Sequence, residues 1–260
     1  VIPAAGKGFR LGYHLPKILY PVLGDTILYH LVDLFNEFCK YFVIIASPDG
    51  APEIEKQLLR IKQISDFRIL IQSQPNGMGD AIWQARNIVK TPCTLVVWGD
   101  QVCLRKETVL LSMAIHQRNA NNLLTFPTVM KKAPYIDIQR DENGKILKVL
   151  QRREGEIKIE IGENDCGLFA FSTDALFSVL QEGINSKSYL GTNTEEVNLL
   201  QFFPDFEELP GSVNTVRIAH EEETLGINTI DEAKQAESIL LQQRNKVKTN
   251  KVRVVVFSGG

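Results

Sequence analysis

Two glycines and three cationic side chains lie close together near the start of the chain. Gly6 and Gly8 flank Lys7, and Arg10 and Lys17 follow. Glycine lets backbone N–H groups approach an anion closely, and lysine and arginine side chains neutralise the charge of that anion. These residue types at this spacing indicate a loop that binds a polyphosphate. An ordinary glycine-rich turn has the same spacing, so the pattern alone leaves both interpretations open.

This loop differs from the two commonest phosphate-binding motifs. A dinucleotide-binding fold requires a third glycine three residues after the second, where this chain has Leu11. A P-loop requires Ser or Thr after its Gly-Lys pair, whereas Gly8 follows Gly6-Lys7 here. Neither motif is therefore predicted.

A candidate metal ligand follows an apolar segment in the middle of the chain. Asp100 comes shortly after residues 94–98, which read Thr-Leu-Val-Val-Trp. The apolar run predicts a buried strand, and open α/β sheets bind ligands at the carboxyl ends of such strands. A hard cation such as Mg²⁺ prefers a carboxylate there, completed by a second oxygen ligand and phosphate oxygens. The structural alternative for Asp100 is to cap the following helix.

The composition argues against several classes of protein. Of the 260 residues 44% are hydrophobic, and 29 basic against 31 acidic side chains give a net charge of −2. A general nucleic-acid binder needs a basic surface, so no nucleic-acid partner is expected. The four cysteines form no C-x-x-C pair, which favours reduced, cytoplasmic thiols over a zinc site or a disulfide scaffold. No apolar run approaches the roughly 18 residues of a membrane span, so no membrane partner is expected.

The order of the elements predicts an α/β fold. Short apolar runs alternate with helical patterns, which is typical of a mainly parallel mixed sheet flanked by helices. The predicted strands are residues 1–4, 41–46, 68–71, 94–97, 122–126, 135–139, 146–150, 166–171 and 214–218. The predicted helices are residues 27–38, 53–64, 78–89, 106–118, 173–180 and 231–244. Residues 135–161 contain an Asn-Gly hairpin signal and are interpreted as a small antiparallel excursion that carries the second substrate.

We expect one domain over residues 1–245, because a chain of this length can bury a single large core. Residues 246–260 are interpreted as a linker and an apolar strand that runs into glycines. That strand is either a terminal edge strand of this domain or the first strand of a fused C-terminal α/β domain. The chain begins without methionine at residues that already fit a strand, so the first strand is expected to have lost its beginning.

The glycine loop is part of a longer motif, Ala4-Ala-Gly-Lys-Gly-Phe-Arg-Leu11 followed by Pro16-Lys17. This motif resembles the signature of the sugar-1-phosphate nucleotidyltransferases, which include N-acetylglucosamine-1-phosphate uridylyltransferases and glucose-1-phosphate thymidylyltransferases. The resemblance implies a Rossmann-like nucleotide-diphospho-sugar transferase fold in which the loop wraps the triphosphate. It implies nucleotide binding by Ala4, Ala5, Gly6, Lys7 and Gly8, and catalytic roles for Arg10 and Lys17.

Four later segments resemble the same family in the expected order. They are Gln72-Ser-Gln-Pro-Asn-Gly77, Trp98-Gly-Asp100, Asp165-Cys-Gly-Leu-Phe169 and Leu225-Gly-Ile-Asn228-Thr229. The resemblance implies nucleotide contacts by Gln72, Gly77 and Asp100, Mg²⁺ binding by Asp100 and Asn228, and sugar binding by Gln151, Asp165 and Gly167.

The chain departs from that family mainly on the acceptor side. Gln151 falls near a glutamate of the uridylyltransferases, Asp165 replaces an asparagine, and Ile136 replaces a glycine. Residues 193–196 replace an aromatic pair, and Phe9 replaces Ser or Thr in the loop. The prediction is therefore Mg²⁺-dependent nucleotidyl transfer from UTP or dTTP to a sugar 1-phosphate, with the sugar left open.

Two alternatives remain open at this point. The glycine loop and Pro16-Lys17 also resemble the methylerythritol-phosphate cytidylyltransferases, which act on a non-sugar phosphate. The altered acceptor half and Phe9 also fit a regulatory module that binds an NTP without turning it over.

Overall fold

The computed structural model describes residues 1–6, 8–39, 41–64, 66–186 and 190–249. Its strands are β1 Ile2–Pro3, β2 Pro21–Val22, β3 Asp25–Thr26, β4 Phe42–Ala46, β5 Phe67–Ile71, β6 Cys93–Val97, β7 Asn122–Lys132, β8 Ile136–Arg140, β9 Ile146–Gln151, β10 Ile161–Asp165, β11 Leu168–Ser172 and β12 Ser212–Arg217. Its α-helices are α1 Ile27–Phe35, α2 Ala51–Leu58, α3 Met78–Trp83, α4 Lys106–Gln117, α5 Thr173–Ser186, α6 Phe203–Glu207 and α7 Ile230–Thr249. The strand predicted after residue 250 lies outside the described residues.

The central sheet is parallel on one side and mixed on the other. β1, β4 and β5 pair in parallel, with Ile2 opposite Ile44 and Ile44 opposite Ile69. β6 lies beside β1, where the Val97 N–H donates to the Val1 carbonyl at 3.2 Å. On the other side of β6 follow β11, β7 and β12; β11 runs antiparallel to both of its neighbours, and β12 runs parallel to β7. This arrangement confirms the predicted α/β class and its mixed sheet.

The predicted antiparallel excursion is present and is larger than expected. β8 and β9 form an antiparallel hairpin whose turn contains Gly144 at φ +85°. β7 continues to Lys132, past the predicted end at residue 126, and its second half pairs with β10. The prediction missed β10 because its residues, Ile-Gly-Glu-Asn-Asp, carry almost no apolar pattern.

Local signals explain where the first helix begins. Thr26 caps α1, since its Oγ1 accepts a hydrogen bond from the Tyr29 N–H at 3.1 Å. The apolar side chains of Leu28, Leu31, Val32 and Phe35 form a buried stripe on this helix. The helix ends at Phe35 and not at residue 38, because the following residues form a turn.

Six helices were predicted and all are present, with shifted ends. The third continues past Trp83 as a 3-10 turn, and the fifth extends to Ser186. α6 was missed because it is a single short turn that begins with Phe-Pro.

Aromatic side chains fill the core between β7, β11 and α6. Phe126, Phe169 and Phe203 are fully buried and mutually in contact, with ring centroids 5.0–5.8 Å apart. Burial of each ring contributes about 1.5–3 kcal/mol to folding. The core therefore fixes β7, β11 and α6 to one another beneath the site.

All four cysteines are free thiols. Cys103 is buried, and burial raises its pKa to about 12, so the thiol stays protonated. In the described part of the chain, no helix has both the length and the apolar character that crossing a bilayer requires.

Candidate active site

The glycine loop and Asp100 meet because their strands are neighbours. The loop follows β1, and Asp100 follows β6, which lies beside β1. A β-carbon on Gly99 would lie 2.5 Å from the Pro3 carbonyl oxygen, so only glycine allows this approach of the two strand ends. The loop and the carboxylate therefore share the carboxyl edge of the sheet, where α/β folds bind ligands.

Four of the predicted residues form one hydrogen-bonded cluster at this edge. The Lys17 ammonium lies 2.5 Å from Asp100 Oδ2 and 3.0 Å from Asn228 Oδ1. The Arg10 guanidinium donates to the same Asn228 oxygen at 3.2 Å, although the two residues are 218 positions apart in sequence. The cluster thus combines two cations with two oxygen donors, a composition that suits a phosphate together with a divalent metal ion.

The two oxygen donors of the cluster fit a Mg²⁺ ion. The Asp100 carboxylate and the Asn228 amide oxygen converge on one positive charge, the Lys17 ammonium. Mg²⁺ takes oxygen ligands and completes its octahedral shell with water and substrate phosphate oxygens, so two protein ligands are enough. No group of three or more His, Cys, Asp or Glu side chains with metal-binding geometry occurs among the residues that the structure describes.

A cavity of about 210 Å³ adjoins the cluster and contains most of the predicted nucleotide contacts. The predicted residues that line it are Ala4, Ala5, Gly6, Lys17, Gln72, Gly77 and Asp100. Gly8 lines a neighbouring cavity of about 430 Å³, and Lys7 lies outside the described residues. A β-carbon on Gly6 would approach Lys17 Cε only to 4.0 Å, so the loop leaves space beside the cluster for an anion.

Gln72 holds together the segment that was predicted to contact the base, residues 72–77. It is 6% exposed, and its side-chain amide donates to the Gly77 carbonyl at 3.0 Å and to Asp80 Oδ2 at 2.7 Å. The side-chain N–H groups are therefore used inside the protein, and the amide oxygen is the group left to contact a base. Asp80 was not predicted, because a carboxylate in the first turn of a helix is a common stabilising feature with no functional signal.

Gly77 occupies a backbone conformation that other residues rarely adopt, with φ +102° and ψ 177°. A β-carbon there would lie 2.5 Å from the Val197 carbonyl oxygen. Gly77→Ala is therefore expected to destabilise the protein by about 1–3 kcal/mol from backbone strain, with the clash adding to that cost. Urea unfolding measures the change in free energy.

The matched control for this variant is Gly144→Ala. Gly144 also has a positive φ, +85°, but its β-carbon would meet nothing within 4 Å. The loss of stability should therefore be smaller at this hairpin turn. Equal losses of unfolding free energy for the two variants would show that the close approach of Gly77 to Val197 does not affect stability.

The predicted sugar-binding residues lie apart from the cavity wall that the described residues form. Asp165 Oδ1 accepts the Gly167 N–H at 2.6 Å, and Gly167 turns the chain at φ +69° between β10 and β11. Gln151 is buried at the end of β9, with its Oε1 accepting from Arg153 Nε at 3.1 Å. Its Nε2 has no hydrogen-bond partner among the described residues.

An ion pair that the sequence did not predict crosses the cavity. Arg153 and Glu196 both line it, and Arg153 Nη1 lies 2.9 Å from Glu196 Oε2. Arg153 follows the β8–β9 hairpin, whereas Glu196 adjoins Gly77. The pair therefore connects the end of this hairpin to the segment of residues 72–77. Opposite charges in two segments that depart from the family were the only available signal.

Burial raises the pKa of the Asp165 carboxyl to about 6 from an ordinary 3.8, and the nearby Asp100 charge adds to the rise. The folded protein therefore holds this proton more tightly than the unfolded chain does. The resulting stabilisation is complete below about pH 4 and is lost as the pH rises through about 6.

Asp165→Asn should remove this loss, because the amide stays neutral and still accepts the Gly167 N–H. At pH 7.5 the variant is expected to be more stable than the original by about 3 kcal/mol, with little difference at pH 4. Urea unfolding without added metal, at both pH values, measures this. A difference independent of pH would contradict the assignment.

The fold and the site define a class of protein. It is an α/β protein whose glycine loop, cations and oxygen donors meet at the carboxyl edge of the sheet. Residues 1–136 match the family described as the MobA-like NTP transferase domain. The chain belongs to this family of nucleotidyltransferases.

Curated relatives share most of this chain's length. The bifunctional protein GlmU of Bacillus cytotoxicus is 28% identical over 253 residues, which are 94% of this chain and 52% of that protein. The bifunctional protein GlmU of Bacillus cereus strain AH187 is 29% identical over 255 residues, or 95% and 52% of the two chains. The chain thus spans about half the length of these curated relatives.

Two solved structures share the fold. A UDP-glucose pyrophosphorylase complexed with UDP-glucose superposes with a TM-score of 0.69 at 14% identity, covering 94% of this chain and 98% of the other. The 4-diphosphocytidyl-2C-methyl-D-erythritol synthase of Anaerococcus prevotii superposes with a TM-score of 0.63 at 15% identity. This superposition covers 92% of this chain and 96% of the other. The Rossmann-like nucleotidyltransferase fold predicted from the sequence is confirmed.

Proposed function

We propose that the protein transfers a nucleotidyl group from UTP or dTTP to a sugar 1-phosphate, with Mg²⁺, and releases pyrophosphate. The observation that carries this proposal is the cluster of Arg10, Lys17, Asp100 and Asn228 beside the cavity. The resemblance of the glycine loop and of the four later segments to the sugar-1-phosphate nucleotidyltransferases supports a sugar phosphate as the acceptor.

The reaction is a displacement at the α-phosphorus of the nucleotide. An oxygen of the acceptor phosphate bonds to that phosphorus, and the bond to the oxygen that bridges to the β-phosphorus breaks. The electron pair leaves with pyrophosphate, so atoms and charge balance. The acceptor phosphate is already an anion and needs no general base; catalysis then depends on alignment and on neutralising negative charge.

The residues of the cluster divide this work. Lys17 neutralises charge at the α-phosphate, and Arg10 offers a planar fork of donors to the leaving pyrophosphate. The backbone of Ala4, Ala5, Gly6 and Gly8 would surround the triphosphate, and Lys7 stays a predicted nucleotide contact. Asp100 and Asn228 would hold Mg²⁺, which would supply further neutralisation of negative charge.

Gln72 and Gly77 are proposed to contact the pyrimidine, since both line the cavity beyond the loop. Gln151, Asp165 and Gly167 are proposed to contact the sugar. Their hydrogen bonds fix the hairpin end and the β10–β11 turn on the acceptor side.

The test is pyrophosphate release with Mg²⁺ from UTP, dTTP, CTP, GTP or ATP, against pooled sugar 1-phosphates and, separately, a non-sugar phosphate such as methylerythritol phosphate. Release with UTP or dTTP is expected, and division of the pool then identifies the acceptor. Release with CTP and a non-sugar phosphate would instead support a cytidylyltransferase. NTP binding without release from folded protein, across all acceptors, would overturn the proposal in favour of a regulatory module.

A further inference from the structure

Two segments carry the proposed metal ligands, and the buried side chain of Glu223 connects them. Asp100 lies at the start of the segment that runs to Arg105 and α4. Asn228 lies at the end of the segment that begins at Glu223. Glu223 is 0% exposed, although it carries a carboxylate. A carboxylate is rarely buried unless its partners compensate for the lost hydration.

Glu223 connects these two segments through well-defined hydrogen bonds. Its Oε2 accepts the Arg105 backbone N–H at 2.8 Å, and its Oε1 accepts the Thr108 hydroxyl at 2.9 Å. Arg105 Nε is 3.9 Å from Glu223 Oε1, too far for a hydrogen bond, while its Nη2 pairs with Glu222 at 2.6 Å. Arg105 is the N-cap residue of α4, and its own side chain makes no capping hydrogen bond. Glu223, from a segment distant in sequence, instead accepts hydrogen bonds from the first turn of this helix.

The same two segments also touch at the site itself. The Ile227 N–H donates to the Asp100 carbonyl at 3.2 Å, and a β-carbon on Gly226 would lie 3.3 Å from the Asp100 carboxylate. Beyond Asn228, Glu232 Oε2 accepts the Asn228 N–H at 2.8 Å. The backbone of Asn228 is therefore held directly from its C-terminal side. At the N-terminal end of its segment Glu223 is a buried anchor, next to the contact of Lys131 with Thr224 Oγ1 at 2.8 Å.

We infer that Glu223 is a positioning residue that sets the separation of Asp100 and Asn228. It fixes the segment before Asn228 to the segment after Asp100, so the two ligand oxygens stay close enough to share one ion. This inference rests on the proposed function, because Asp100 and Asn228 must be metal ligands for their spacing to matter.

The experiment measures the binding of equimolar Mn²⁺ and UTP to the 260-residue chain by the water proton relaxation rate, which rises when the ion tumbles with the protein and not with free nucleotide. Glu223→Ala is expected to weaken Mn²⁺ binding at least about tenfold, as is typical when a partner that orients metal ligands is lost. Glu223→Gln should bind nearly as the original does, because its amide can accept from the Arg105 N–H and donate to the Thr108 oxygen. All variants are compared well below their melting temperatures.

Glu163→Ala is the matched control. It removes a carboxylate that is partly buried and pairs with Arg140 at 2.8 Å outside the cavity. It should lower the melting temperature and leave Mn²⁺ affinity unchanged. Should Glu223→Ala fail to fold, Glu223→Asp replaces it, because it keeps the charge but is one methylene too short to reach both donors.

The outcomes separate the two claims. Folded Glu223→Ala or Glu223→Asp with unchanged Mn²⁺ affinity would overturn the positioning role and leave the proposed function intact. Original protein that binds no Mn²⁺ with UTP would overturn the proposed function itself. Weakened Mn²⁺ binding by Glu223→Ala or Glu223→Asp, with unchanged binding by Glu163→Ala, supports the positioning role.

Discussion

Lys17→Ala is expected to reduce pyrophosphate release about a hundred- to a thousandfold, the loss typical when one preorganised charge or donor is removed from a reacting centre. The Lys17 ammonium lies 2.5 Å from Asp100 and lines the cavity beside the glycine loop. An ammonium there can neutralise charge that develops on the α-phosphate in the transition state, and alanine cannot. Steady-state rates with the preferred NTP and acceptor measure the loss.

Lys106→Ala is the control for this variant. Lys106 also lies 2.5 Å from a carboxylate, Glu37, but the pair is about half exposed and outside the cavity. Its loss should leave turnover unchanged. Near-normal turnover of folded Lys17→Ala would remove Lys17 from the proposed mechanism.

Asp100→Asn is expected to raise the Mg²⁺ concentration needed for half-maximal turnover by at least tenfold. Loss of a mere partner of a metal ligand typically costs about 10–100-fold in affinity, and Asp100 is proposed as a ligand itself. The substitution keeps the size of the side chain but removes the charge of the only carboxylate in the cluster of Arg10, Lys17, Asp100 and Asn228. A Mg²⁺ titration of the rate measures the shift.

Asp66→Asn provides the comparison, because Asp66 is an exposed carboxylate that pairs with Arg68 at 3.0 Å. Its Mg²⁺ titration should match that of the original protein. If Asp100→Asn gave the same titration curve as Asp66→Asn, Asp100 would not bind the metal, and its role would be limited to pairing with Lys17.

The parts of the fold that were predictable are those with local signals. Short apolar runs between helical patterns predicted the parallel strands, and the Asn-Gly pair predicted the β8–β9 hairpin. β10 has no such signal, because its polar residues form a strand only through pairing with the extension of β7. Its position depends on tertiary contacts that a local pattern does not contain.

The candidate site divides in the same way. The glycine loop, Lys17, Asp100 and Asn228 were predicted from residue type and family resemblance, and the structure brings the three side chains into contact. Nothing local indicates that Arg153 pairs with Glu196 or that Glu223 supports Arg105, since these contacts join segments far apart in sequence. Sequence reasoning therefore identified the side chains of the cluster and missed the contacts of Arg153 with Glu196 and of Glu223 with Arg105.

The contact between Arg10 and Asn228 also concerns how the protein is made. A ribosome delivers the glycine loop early and Asn228 late, with 218 positions between the two contacting residues. Closing so long a loop costs entropy that is recovered only once the intervening sheet exists to hold its ends together. A nascent chain that has already built β1, β4 and β5 therefore still lacks an assembled site. The candidate site is therefore assembled only after the segment that carries Asn228 has been synthesised and has packed against the glycine loop.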